Sequence, residues 1–153
     1  MSAVEAPRLY SRAQRVPVDV VAPQHEDVHA DLERWGRWNR ERMRSRGCAS
    51  AESVYERTRT PGATIEEIDL RSVAIEKAII GMPEDCRKTL RWYYFDAGYL
   101  CLKAARNRRP GMPCPTIAQI ICWMLTLRYE AFPQWMFTCR AMVVNLLRRN
   151  ANG

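Results

Sequence analysis

Apolar positions recur at helical spacing along most of the chain, and no stretch alternates with period two. From His25 to Arg46, Val28, Leu32, Trp35 and Met43 fall near one stripe, which predicts a helix over 25–46. Arg34, Arg37, Arg40, Arg42, Arg44 and Arg46 cover much of the remaining surface, and Gly47 is a stop signal. Thr64-Ile65-Glu66-Glu67 reads as a capping box opening a second helix, with Ile65, Ile68, Ile75 and Ile79 inward and an end at Gly81. Pro83, followed by Glu84 and Asp85, starts a third, since a first-turn proline and acidic residues both suit a helix N-terminus. That helix buries Cys86, Leu90, Tyr93 and Tyr94 and ends at Gly98. A basic loop is expected next, then helices over Pro115 to Leu125 and Ala131 to Arg149. The pattern predicts an all-α fold, a small helical domain of about five helices.

Residues 1–24 are rich in Pro, Val and Ala without helical period, and Pro7, Pro17 and Pro23 block a long element. They read as a flexible N-terminal arm. The organisation expected is therefore that arm followed by a single helical domain over 25–149. The domain divides into the helix 25–46, a linker over 47–63 and a region over 64–149 that holds the remaining helices.

At 153 residues and 47% apolar, the chain is too hydrophobic for general disorder and long enough for one core. The longest apolar run, Ile117 to Leu127, is interrupted by Gln119 and Thr126 and falls short of a membrane span. The N-terminus lacks the apolar core of a secretory signal, so a cytoplasmic location is expected. Six cysteines form no C-x-x-C pair; they read as small hydrophobes in a reducing compartment, with no metal and no cofactor. The net charge of +7 is carried almost wholly by arginine, lysine appearing only at Lys77, Lys88 and Lys103. Arginine suits bidentate contact with phosphate and guanine, although acidic protein or anionic lipid would also attract such a surface.

Residues 120–132 carry the spacing of a helix-turn-helix. Such a unit needs a small residue where its helices cross and apolar positions that lock the turn. Cys122 fills the small position, Leu125 and Leu127 flank Thr126 at the turn, and Phe132 anchors the second helix. Thr126 stands where glycine is usual, and Pro133 is tolerable if it lies in a first turn. In this register Arg128, Tyr129, Glu130 and Gln134 point outward at the N-terminal end of the second helix, as base readers in a major groove. Lys103, Arg106, Arg108 and Arg109, in the preceding loop, are expected to contact phosphates. The same spacing also fits a plain antiparallel helix pair.

His25-Glu26-Asp27-Val28-His29 matches the H-E-x-x-H pattern of zinc peptidases. It lies beside the proline-rich segment, no third histidine exists, and no strand is expected to align a peptide. No P-loop, nucleophile elbow or kinase pattern occurs, so the chain is read as a non-enzyme.

Two stretches resemble known families. Residues 74–99, with Gly81-Met82-Pro83, the aromatic run Trp92-Tyr93-Tyr94-Phe95 and Gly98, lead to a helix-turn-helix and the stretch 139–147. Together they are similar to region 4 of sigma-70-type factors. Asp31-Leu32-Glu33-Arg34-Trp35-Gly36-Arg37-Trp38 resembles the opening of phage antitermination proteins of the Q type, whose C-terminal halves carry a sigma-region-4-like unit. The resemblance covers roughly 28–148 and departs from the family at an insertion over 101–114. It implies a phage or prophage late-gene regulator in the cytoplasm of a bacterial host. Such a protein binds double-stranded DNA at a late promoter, loads onto host RNA polymerase and its sigma factor, and allows read-through of terminators. Trp35 and Trp38 would be polymerase contacts on the same resemblance. Two other readings remain open: a sigma-like or repressor-like regulator that only binds DNA, and an adaptor gripping polymerase or sigma without touching DNA. The sequence leaves the oligomeric state open.

Overall fold

A computed structural model of the chain describes residues 16–43 and 69–152. The linker 47–63, Gly47, the capping box at Thr64–Glu67 and the arm before Val16 lie outside the described residues. Within them every regular element is helical and no strand occurs.

The chain enters as an extended segment over 16–22, passes through a 3-10 turn, Pro23–His25, and continues into α1, Glu26–Met43. Glu26 and Asp27 occupy the positive end of the α1 dipole. Val28, Leu32, Trp35 and Trp38 are buried along one face. Met43, expected on that stripe, is instead exposed, Trp38 taking the inward position. The second helix does not begin at Thr64. Here α2, Leu70–Ile80, starts where the Asp69 carboxylate accepts the Ser72 amide at 3.1 Å, an aspartate N-cap. Ile75 and Ile79 are buried as their spacing predicts. Two ion pairs, Arg34–Asp69 at 2.7 Å and Arg71–Asp31 at 2.8 Å, tie α1 to α2.

Pro83 caps α3, Glu84–Leu90, which runs into a wide π turn, Arg91–Phe95, closed by the Asp96 amide on the Arg91 carbonyl at 2.8 Å. The turn bulges toward α1, where Gly36 receives it: a Cβ there would lie 2.0 Å from the Tyr94 carbonyl oxygen. Arg40 Nη1 donates to that same carbonyl at 2.7 Å. The Trp-Gly-x-Trp motif thus has a packing reason, because Gly36 permits the approach and Trp35 and Trp38 fill the core on either side.

Gly98 does not end the structure of this region. It lies in the first turn of a further helix, α4, Ala97–Asn107, so six helices are described where about five were expected. Much of the anticipated basic loop is therefore helix, and the irregular connection runs only from Arg108 to Thr116. It turns at Arg109-Pro110-Gly111-Met112, with the Met112 amide on the Arg109 carbonyl at 3.1 Å and Gly111 at φ +84°, where glycine is the favoured residue. Thr116 and Gln119 then form a capping box that opens α5, Ile117–Leu125. A 3-10 turn, Tyr129–Ala131, leads into α6, Phe132–Asn152.

One hydrophobic core runs through these elements, with Leu32, Trp35, Ile75, Leu90, Ile121, Phe132, Met136 and Val143 wholly enclosed. α1 and α2 pack together, α6 lies across α1, α2 and α3, and the π turn joins this bundle to an outer pair formed by α4 and α5. No described helix is long and apolar enough to cross a membrane.

The extended segment from Val16 is held, contrary to the expectation of a free arm up to residue 24. Asp19 reaches inward and pairs both carboxylate oxygens with the guanidinium of Arg140, a fully buried residue of α6. Tyr93 donates its hydroxyl proton to Asp19 at 2.8 Å. Arg140 Nε also donates to the Tyr94 hydroxyl at 2.9 Å, which directs the Tyr94 proton to His29 Nδ1, 2.7 Å away. Burial opposes ionisation of Asp19, yet hydrogen bonds from Arg140 and Tyr93 and the charge of Arg140 outweigh it and hold the carboxyl below its usual range. Burial, foremost, pushes both tyrosine hydroxyls up, so they stay protonated donors.

Candidate nucleic-acid interface

The stretch α5–turn–α6 begins with a helix that stops cleanly. Thr126 has left-handed backbone (φ 54°, ψ 46°); its amide bonds the Trp123 carbonyl, and the Leu127 amide reaches back to Cys122 at 2.8 Å. This is a Schellman termination, in which the residue after the helix must turn left-handed. Glycine is the usual occupant, and a β-branched threonine is strained there. Cys122 is buried, in the cluster that also contains Ile121, Phe132 and Met136. Burial raises its thiol pKa to about 11, so it stays a neutral packing group. The main backbone partners of α5 are α4 and the π turn, so the close crossing of α5 with α6 expected at Cys122 is not formed, and Cys122 is buried in the shared core instead. Pro133 falls in the first turn of α6, where its missing amide leaves no bond unmade.

At the start of α6 Arg128 is exposed and its carbonyl accepts the Ala131 amide at 3.0 Å. Glu130 and Gln134 are exposed beside it. Tyr129 departs from the expectation of an outward reader: it is half-buried, and its hydroxyl accepts Trp123 Nε1 at 2.8 Å. Continuing by turns along α6, Gln134, Thr138, Ala141, Asn145 and Arg148 share one face, with Gln134, Asn145 and Arg148 exposed. Thr138 and Asn145 were not picked out from the sequence, although the i, i+4, i+7, i+11 spacing from Gln134 carries that signal. No carboxylate occurs anywhere on α6.

The four basic residues expected to touch phosphate are all exposed. Lys103 and Arg106 stand on the outer face of α4, and Arg109 opens the turn that follows. Arg108 is partly engaged, donating Nη1 to the Met112 carbonyl and so bracing its own loop. Much of the arginine-rich surface of α1 is likewise committed internally. Arg34 pairs with Asp69, Arg40 caps the π turn, and Arg42 lies 4.2 Å over the Trp38 ring.

Trp35 and Trp38 do not form an exposed anchor. Trp35 is fully enclosed with Nε1 donating to Glu76 at 2.6 Å, and Trp38 is buried beneath Arg42. The two histidines of the H-E-x-x-H match serve separate partners: His25 is buried against Phe137, ring centroids 4.6 Å apart, while His29 meets Tyr94. No group of three or more potential metal ligands is gathered among the described residues.

No known protein family, characterised protein or solved structure matches the chain. Its class rests on the fold itself, an all-helical protein with a bundle and an outer helix pair.

Proposed function

We propose that the chain is a DNA-binding regulator of transcription that reads duplex DNA with α5, its turn and α6, acting as a phage late-gene antitermination factor on RNA polymerase. The observation that carries the DNA reading is the Schellman turn at Thr126. It fixes the exit of α5 so that Arg128 and Gln134 stand exposed at the start of a long helix without carboxylates. A helix presented in this way suits a major groove, with Arg128, Gln134 and Asn145 as groups able to bond base edges. Lys103, Arg106 and Arg109 supply phosphate contacts that position the unit. The polymerase role rests on the resemblance of residues 31–38 to antitermination proteins of the Q type and of residues 74–99 to region 4 of sigma-70-type factors. With Trp35 and Trp38 in the core, neither this polymerase role nor a pure adaptor reading has them as anchors.

Anisotropy titrations with a labelled duplex library at several salt concentrations test the DNA reading. The expected result is affinity that falls steeply with salt, with Arg128→Ala removing preference at one base position at a loss of roughly 1–3 kcal/mol. Affinity that is absent at low salt, or indifferent to Arg128→Ala, would sink it. Terminator read-through by purified polymerase then separates an antiterminator from a regulator that only binds DNA.

A further inference from the structure

Between Asp96 and Glu130 the chain carries Lys103, Arg106, Arg108, Arg109 and Arg128 and no carboxylate at all, against a net charge of +7 for the whole. Within that stretch Tyr99, Leu102, Lys103 and Arg106 follow at i, i+3, i+4 and i+7 and share one face of α4. All four are exposed; Tyr99 keeps 66% and Leu102 53% of its surface open. The half-buried positions Leu100, Cys101, Ala104 and Ala105 occupy the opposite side of the helix, which packs on α5 and the π turn.

Cations neutralise the phosphates of a duplex, and a tyrosine hydroxyl can donate to one, but an open tyrosine ring face and a leucine add nothing there. A ring set among cations matches a different ligand, the unpaired nucleotide, whose base stacks while its phosphate is neutralised. An acidic protein surface fits less well, because a stable protein interface needs about 800 Å² from each side and this is one narrow stripe on a short helix. We infer that the outer face of α4, with Arg109 at the head of the next turn, binds single-stranded DNA. Its choice of DNA rests on the duplex reading proposed for α5–α6. α4 packs directly on α5, and the connection from Arg108 to Thr116 is short, so a strand leaving the duplex is held beside it. Lys103, Arg106 and Arg109 then meet phosphates of the strand where it leaves the duplex, and through that strand they position the α5–α6 unit.

The test is anisotropy of labelled oligothymidine, a matched RNA oligomer and a duplex, each titrated with the full chain. Tyr99→Ala is expected to weaken oligothymidine binding roughly tenfold through loss of one stacked base, while duplex affinity stays unchanged. Tyr99→Trp should restore it. Lys103→Ala should flatten the salt dependence of oligothymidine binding by roughly 0.7 in log–log slope. Thermal melting of each variant checks folding, and exposed Tyr99 and Lys103 leave it unmoved. The inference is overturned if oligothymidine does not bind at low salt, if Tyr99→Ala is neutral, or if it weakens duplex and single strand alike. Tighter binding of the RNA oligomer, or displacement of oligothymidine by polyglutamate as readily as by unlabelled DNA, also overturns it. Failure of the duplex reading shows separately, as indifference of duplex affinity to Arg128→Ala.

Discussion

The Asp19–Arg140 cluster and the outer face of α4 use the same residue types, tyrosine beside a cation, in opposite surroundings. In the first, Arg140 lies about as deep as any side chain, its guanidinium 6.0 Å and 5.8 Å from the Tyr93 and Tyr94 ring centroids, and Asp19 cancels its charge. The charge there is already matched within the fold. In the second, Tyr99, Lys103 and Arg106 stand in solvent, in a stretch of sequence without a carboxylate. Residue type therefore does not separate a structural arginine from one available to a partner. What separates them is whether the fold brings a carboxylate within reach and closes water out, since a buried charge must be paired whereas an exposed one need not be.

The largest effect should come from breaking the buried side. Asp19→Asn leaves the Arg140 guanidinium enclosed without its counter-charge, at a loss of about 3–5 kcal/mol. Urea unfolding would measure it, and a loss below about 1 kcal/mol would mean that the extended segment is not a structural part of the bundle. Gly36→Ala comes next. The methyl would meet the Tyr94 carbonyl, backbone that cannot swing aside, so a loss of about 3 kcal/mol is expected and a neutral result would contradict the close approach of α1 to the π turn.

At the turn between α5 and α6 the expected change is smaller and of opposite sign. Thr126→Gly releases left-handed strain and should raise stability by about 1 kcal/mol in the same melts. A decrease would show that the threonine side chain contributes more than its backbone loses.

The smallest effect is the His25 stage of a dependence on pH that belongs to the bundle alone. Burial, then the charge of Arg140, holds the His25 imidazole below its usual 6.5. A group whose pKa is depressed on folding stabilises fully above its unfolded value and loses that contribution as pH falls through the folded one. Asp19 has the same sign around a lower starting value, 3.8. The thermal midpoint should therefore decline in two stages on acidification, first for His25 and then for Asp19. His25→Phe, which keeps a ring against Phe137, should abolish the first stage only; a persisting early decline would assign it elsewhere.

The helical class was legible because 3.6-residue periodicity is a property of neighbouring residues, as at Val28, Leu32 and Trp35 or Ile75 and Ile79. So was the position of the turn around Thr126, where Cys122 and Phe132 are buried as their spacing predicts. Thr116 and Gln119 carry a capping signal that is equally local. A local signal also misled: Gly98, taken as a stop, sits at the start of α4 because the break falls at the π turn before it. Other features depended on partners distant in sequence. Nothing near Asp19 announces that it pairs with Arg140, 121 positions away, and so a segment that reads as a loose arm is pinned to the bundle. Nothing near Trp35 says that Glu76 receives its indole proton, or near Gly36 that the Tyr94 carbonyl will press against it. Periodicity decides which face of a helix is apolar. Only the packed chain decides which charges find partners, and hence which of its many arginines hold the fold and which are left to meet something outside it.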